Sequence, residues 1–173
     1  MSVHIIIDGY NLIRQSARLS RIEGRDLQEG REALVEALAA YRKLKRHPIT
    51  VVFDGTAAPC FSQRRDRWKG IEIRFSACGE LADALIRRMA ARERDRALVV
   101  SSDRAVAEAA AGYGATVVAS SDFEQRLEMA LVMGGDVEGD DAADGWTPTT
   151  RKKGPSRRLP KRQRRQRSRL EKL

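Results

Sequence analysis

A three-layer α/β/α sandwich around a mostly parallel, five-stranded sheet is the fold that this sequence predicts. Two observations carry it. Five short β-branched runs, 3–7, 49–53, 71–75, 97–101 and 115–119, are almost continuously apolar, as strands covered on both faces are. Segments with apolar residues at helical spacing lie between several of them, and this alternation is the pattern of right-handed parallel crossovers.

In chain order, residues 3–7 form the first strand and run into Asp8. A helix over 27–45 follows, with Leu34, Leu38 and Tyr41 on one face and Arg31, Glu32, Arg42 and Lys43 on the other. The second strand, 49–53, runs into Asp54-Gly55, and the third spans 71–75. The helix over 80–92 buries a stripe of Leu81, Leu85, Ile86 and Met89. After the fourth strand, 97–101, a helix over 103–111 is closed by Gly112 and Gly114. The fifth strand, 115–119, leads to a last helix over 122–133, capped by Asp122 or Ser121.

The length of 173 residues suits one domain with a tail. The domain is expected over 1–133, an acidic Gly-rich linker over 134–146 and a basic tail over 147–173, disordered when free. The formal net charge of +9 comes from that tail, because residues 151–173 hold 12 Lys or Arg against a single acid. Within it, 163–173 is expected to become helical only on a partner. No apolar run reaches the ~18–20 residues of a membrane helix. No basic segment precedes the first apolar stretch, so a secretory signal is not expected. Two cysteines, Cys60 and Cys78, are too few for a disulfide framework, and reduced thiols in the cytoplasm are the simpler expectation.

In open α/β sheets ligands bind beyond the carboxyl ends of the strands. Asp8, Asp54 and Asp103 follow three strands there, and the helix after the third strand brings Glu80 and Asp83, three apart. Each acid also has a structural reading. Asp103 serves equally well as a helix cap, Asp54-Gly55 as a turn, and Glu80 with Asp83 as complements to a helix dipole. Asp8, after four apolar strand residues, is costly to desolvate without a cation. Gathered acids need a compensating ion, and oxygen-only ligands favour Mg²⁺ or Mn²⁺. Both histidines, His4 and His47, are placed away from the acids. No zinc spacing, phosphate loop or nucleophile elbow is present. Ser101 and Ser102 either bind phosphate or cap the helix that begins at Asp103, and capping is the favoured reading.

The segments Ile6-Ile7-Asp8-Gly9-Tyr10-Asn11-Leu12, Val51-Val52-Phe53-Asp54, Glu80-Leu81-Ala82-Asp83 and Val100-Ser101-Ser102-Asp103 resemble the motifs of the YacP-like NYN family, within the PIN-like superfamily of metal-dependent nucleases. The resemblance covers residues 3–133. It implies that Asp8, Asp83 and Asp103 are metal ligands, that Asp54 and Glu80 line the same pocket, and that Asn11 orients Asp8 or contacts a phosphate. It implies a strand order that sets Asp8 between Asp54 and Asp103. Where family members often carry Thr, this chain has Leu81, which removes a polar contact beside the site.

An acidic pocket needs positive charge elsewhere to capture a polyanion. Arg64, Arg65, Arg67, Trp68 and Lys69, in the stretch after Asp54, are one candidate, with Trp68 either stacking on a base or packing on the core. Arg157, Arg158, Lys161, Arg162, Arg164 and Arg165 of the tail are the other. The resemblance implies a metal-dependent endoribonuclease without a protein nucleophile. The alternative is an RNA- or ribosome-binding factor on a catalytically weak PIN-like scaffold. The partner is RNA, free or in a ribonucleoprotein such as the ribosome; no membrane partner is expected, and a monomer suffices.

Overall fold

The computed structural model describes residues 3–55 and 65–134, together with Gln166, Arg169 and Leu170. Its elements run β1 (His4–Asp8), α1 (Gly9–Gln15), α2 (Ala17–Glu23), α3 (Leu27–Lys45), β2 (Ile49–Phe53), β3 (Arg65–Trp68), β4 (Ile71–Phe75), α4 (Ala82–Glu93), a 3-10 turn (Arg94–Arg96), β5 (Ala97–Val100), α5 (Arg104–Gly112), β6 (Thr116–Val118) and α6 (Ser120–Gly134).

The sheet has six strands in the order β3-β4-β2-β1-β5-β6, and every neighbouring pair is parallel except β3 with β4. The predicted alternation and layering are therefore present, with one strand more than expected. That strand, Arg65–Trp68, is exposed at every position. It carries no apolar run because an edge strand covered with charge resists pairing with other chains. It joins β4 through Lys69-Gly70, both at positive φ (47° and 83°), the geometry of a type I′ hairpin turn.

Side chains alternate across the central strands and divide the core into two layers. Ile5, Ile7, Val51 and Phe53 face the layer built with α3 and α6. Ile6, Val52 and Val99 face the layer of α4 and α5. Burial on both faces explains why β1, β2 and β5 read as unbroken apolar runs.

Residues 9–26 hold two short helices that no apolar periodicity announces. Their starts are set by caps: Asp8 accepts the Asn11 N–H at 3.2 Å, and Ser16 Oγ accepts the Leu19 N–H at 3.2 Å. Likewise α3 is opened by Asp26, whose Oδ1 accepts from the amides of Gln28 (2.7 Å) and Glu29 (2.9 Å). Helix α6 begins at Ser120, so Ser121 and Asp122 lie inside it and neither is its cap.

Two further expectations change. Among the described tail residues, Gln166, Arg169 and Leu170 are helical. Leu170 packs on the core, its carbonyl accepts from Arg126 Nη1 at 2.8 Å, and Arg169 pairs with Asp95 at 3.4 Å. Arg169 and Leu170 thus contact the domain, which supplies the apolar surface that an isolated helix lacks; apart from these two and Gln166, 147–173 lies outside the described residues. Cys78 is disulfide-bonded rather than reduced, because pairing depends on a geometry that two cysteines in a sequence do not display. Cys60 lies outside the described residues. No helix among the described residues is long and apolar enough to cross a membrane.

Candidate active site

The chain leaves β1 for β2 on one side and later enters β5 on the other, so the strand order reverses at β1. A cleft of about 480 Å³ opens at the carboxyl edge of the sheet, lined by Asp8, Asp54, Asp83 and Asp103, with Asn11 and Arg14 beside them. Asp8 ends β1, Asp54 follows β2, Asp103 follows β5, and Asp83 lies in the first turn of α4. Four of the five predicted acids are thus brought to one cavity.

Asp8 is the most enclosed of them, with 8% of its surface exposed. Burial pushes its carboxyl above the ordinary value of 3.8; the charges of Asp83 and Asp103 push the same way, against the Asn11 amide and the Ser101 hydroxyl. No basic side chain among the described residues pairs with it. Ser101 Oγ donates to Asp8 Oδ2 at 3.3 Å and accepts from the Asp103 amide at 3.1 Å, so one hydroxyl ties two of the acids together. Asp103 Oδ1 accepts the Val106 N–H at 2.9 Å and caps α5. The cap of that helix is therefore Asp103, not Ser101 or Ser102.

The Asp83 carboxyl is also raised, first by burial, then by Asp103 and Asp54, while Arg87 one turn on opposes the shift. Asp54 accepts from Ser76 Oγ at 3.5 Å. Leu81 occupies the cap position of α4 and makes no side-chain cap bond.

Glu80 is not part of the cleft. Helix α4 starts at Ala82, which leaves Glu80 outside its first turn, where its carboxylate binds Arg88 and accepts the Ala77 N–H at 3.3 Å. Asn11 lines the cleft, but its side chain does not orient Asp8; its backbone N–H does. Its Oδ1 accepts from the Ser102 amide at 2.9 Å and from Ser120 Oγ at 2.7 Å. Because the Ser102 N–H can only donate, the amide orientation is fixed, and Nδ2 remains as a donor.

The basic stretch after Asp54 divides. Arg65 pairs with Arg74 in register and binds Glu72 at 2.9 Å. Trp68 pairs with Ile71 at the start of β4, so Trp68 and Lys69 lie at the sheet edge opposite the acids. Trp68 is 55% exposed and donates to Glu36, and Lys69 Nζ binds the same carboxylate at 2.7 Å. The antiparallel turn of the hairpin carries these two residues away from the cleft. Arg67 is exposed on β3. Arg64, Arg157, Arg158, Lys161, Arg162, Arg164 and Arg165 lie outside the described residues.

The donor chemistry of the cleft fits a divalent ion, because its acids are all carboxylates that mutually oppose ionisation. Among the described residues, however, no three stand close enough to enclose an ion as they are.

Comparison with known proteins bears on the same fold. A family model described as the YacP-like NYN domain matches residues 5–171. The chain is 26% identical over 86 residues to the uncharacterised protein YacP of Bacillus subtilis, a match spanning 50% of this chain and 50% of that protein. Crystal structures of Rae1 (YacP) from Bacillus subtilis superpose with a TM-score of 0.65 at 24% identity, covering 77% of each chain. A point mutant of it superposes with a TM-score of 0.63 at 23% identity, covering 75% of this chain and 77% of that one.

Proposed function

The chain belongs to the YacP-like NYN domain family, and from that premise we propose that it is a metal-dependent endoribonuclease. The observation that carries the reading is the convergence of Asp8, Asp54, Asp83 and Asp103 on one cleft, with Asp8 buried and unpaired by any cation among the described residues. Asp8, Asp83 and Asp103 would hold Mg²⁺ or Mn²⁺. Such an ion, when bound, neutralises phosphate charge and makes a bound water more acidic.

The rest of the chemistry belongs to the chain. Ser101 holds Asp8 and the Asp103 backbone in a fixed relation. Asn11 Nδ2 faces a phosphate oxygen as a neutral donor. Hydrolysis adds water across the P–O3′ bond, leaving a 5′-phosphate and a 3′-hydroxyl. RNA is bound through basic residues outside the cleft, Arg157, Arg158, Lys161, Arg162, Arg164 and Arg165 of the tail above all, free or within a ribonucleoprotein.

Cleavage of end-labelled single-stranded RNA, with Mg²⁺, Mn²⁺ or EDTA, tests the reading. Asp8→Asn and Asp103→Asn are expected to lower the rate on the order of 100-fold or more. Undiminished, ion-dependent cleavage by both variants would refute it. The open spacing of the carboxylates favours one second reading, an RNA-binding factor with little turnover. It predicts RNA binding by the wild type without cleavage in any ion.

A further inference from the structure

We propose that the groove between α3 and the β2–β4–β3 side of the sheet is a nucleobase subsite for the strand whose phosphate occupies the aspartate cleft. The identity of the ligand rests on the nuclease reading; the groove itself does not. It holds about 560 Å³, enough for a nucleoside; the half-buried Ile73 and Phe75 line it at the end nearer the cleft, and Trp68 lines its far end. Groove and cleft share a partition. Tyr10 lines the cleft, its hydroxyl accepts from Arg31 Nε at 2.8 Å, and Arg31 lines the groove. Phe53 directly precedes Asp54.

Arg31 sets the chemistry at this junction. Its guanidinium lies 5.4 Å from the Tyr10 ring, 5.7 Å from Phe53 and 5.4 Å from Phe75. No carboxylate among the described residues pairs with it. Arg14 lies 5.8 Å from the Tyr10 ring and also lines the cleft. The phosphate linking a base in the groove to the scissile phosphate therefore meets cations, while the base meets the Phe75 ring.

The other lining charges decide what enters. Glu29 and Asp66 line the groove, Glu32 also lines it and accepts from Gln28, and Glu36 is already held by Lys69 and Trp68. Carboxylates repel phosphate, so the backbone does not run along the groove and only a base projects into it. They accept hydrogen bonds from exocyclic amino groups, which cytosine, adenine and guanine carry and uracil lacks. The subsite thus favours amino-bearing bases over uracil.

Anisotropy titration of labelled single-stranded C5 and U5 RNA in EDTA tests this without turnover. C5 is expected to bind on the order of tenfold more tightly. Phe75→Leu, which keeps the apolar volume, and Arg31→Gln should remove most of that advantage. The exposed Glu29→Gln, which disturbs no packing, should bring C5 towards U5. Equal binding of C5 and U5, unchanged by all three variants, overturns the subsite, as does occupancy by an Arg-rich peptide in place of oligonucleotide. Ion-dependent cleavage without base preference would leave the nuclease standing and remove the subsite. Base preference in EDTA without cleavage in any ion would do the reverse.

Discussion

Replacing Gly9 with alanine isolates a constraint at the heart of the site. Gly9 follows Asp8 and opens α1, and it is not among the residues at positive φ, so its backbone tolerates any residue. What it lacks is space. A Cβ there would lie 2.3 Å from Phe53 Cε1 and 2.6 Å from Cδ1, against an ordinary carbon contact of roughly 3.5–4.0 Å. Relief requires a shift of more than about 1 Å by a fully buried ring or by α1, and overpacking of that kind costs about 1–3 kcal/mol. Because Phe53 leads into Asp54 and Gly9 follows Asp8, either shift also moves a carboxylate. Urea unfolding of Gly9→Ala is expected to show that loss. In a Phe53→Leu background, where the ring edge is gone, the cost of Gly9→Ala should fall by about 1 kcal/mol or more, the coupling of touching residues. A loss below about 0.5 kcal/mol, or the same loss in both backgrounds, would refute the steric account.

Four other outcomes follow from the same geometry. The folded Asp8 carboxyl titrates above its ordinary value, so between the unfolded and folded values the folded state holds more protons and stability falls as pH rises through that window. Asp8→Asn should therefore raise the urea midpoint of the metal-free protein at pH 7.5, with the difference from wild type shrinking as pH falls towards 4; a constant difference would contradict it. Asn11→Ala removes two bonds, to the Ser102 amide and Ser120 Oγ, and should cost about 1–3 kcal/mol in the same unfolding assay. Glu80→Gln, which removes the charge that binds Arg88, should cost less than about 1 kcal/mol and leave the cleavage rate within about threefold. Replacing the bases of 151–165 with serine, while retaining docked Leu170, should flatten the salt dependence of RNA binding by about 0.7 in log–log slope for each phosphate no longer neutralised.

The parts of this molecule that were readable in the sequence are those whose cause is local. Strands β1, β2 and β5 are buried on both faces and show it as apolar runs, and their ends point to Asp8, Asp54 and Asp103. The parts that were not readable depend on partners far along the chain. Asn11 Oδ1 is occupied by Ser102 and Ser120, 91 and 109 residues away. Glu80 is turned aside by Arg88, a choice that helical spacing does not encode because α4 begins only at Ala82. Trp68 and Lys69 follow Asp54 in sequence, yet an antiparallel return carries them to the other end of the sheet. The helices α1 and α2 are seven residues each, too short for an amphipathic period, and their starts depend on single capping side chains.

Asp8 and Asp103 both cap helices, and for Asp8 that role conflicts with its surroundings when no cation is near. As caps of α1 and α5 they are most effective ionised, next to exposed helix amides. Burial and the neighbouring acids favour the neutral form of Asp8. The proposed divalent ion would satisfy both, because it would supply the opposing charge while the caps remain in place. Each acid has one oxygen bound to a helix amide, Asp8 Oδ1 to Asn11 and Asp103 Oδ1 to Val106. The other oxygen of each, that of Asp8 already accepting from Ser101, is then what the proposed ion would take beside Asp83. The open spacing of the carboxylates follows from this division of oxygens: side chains committed to two helix starts do not collapse onto one another.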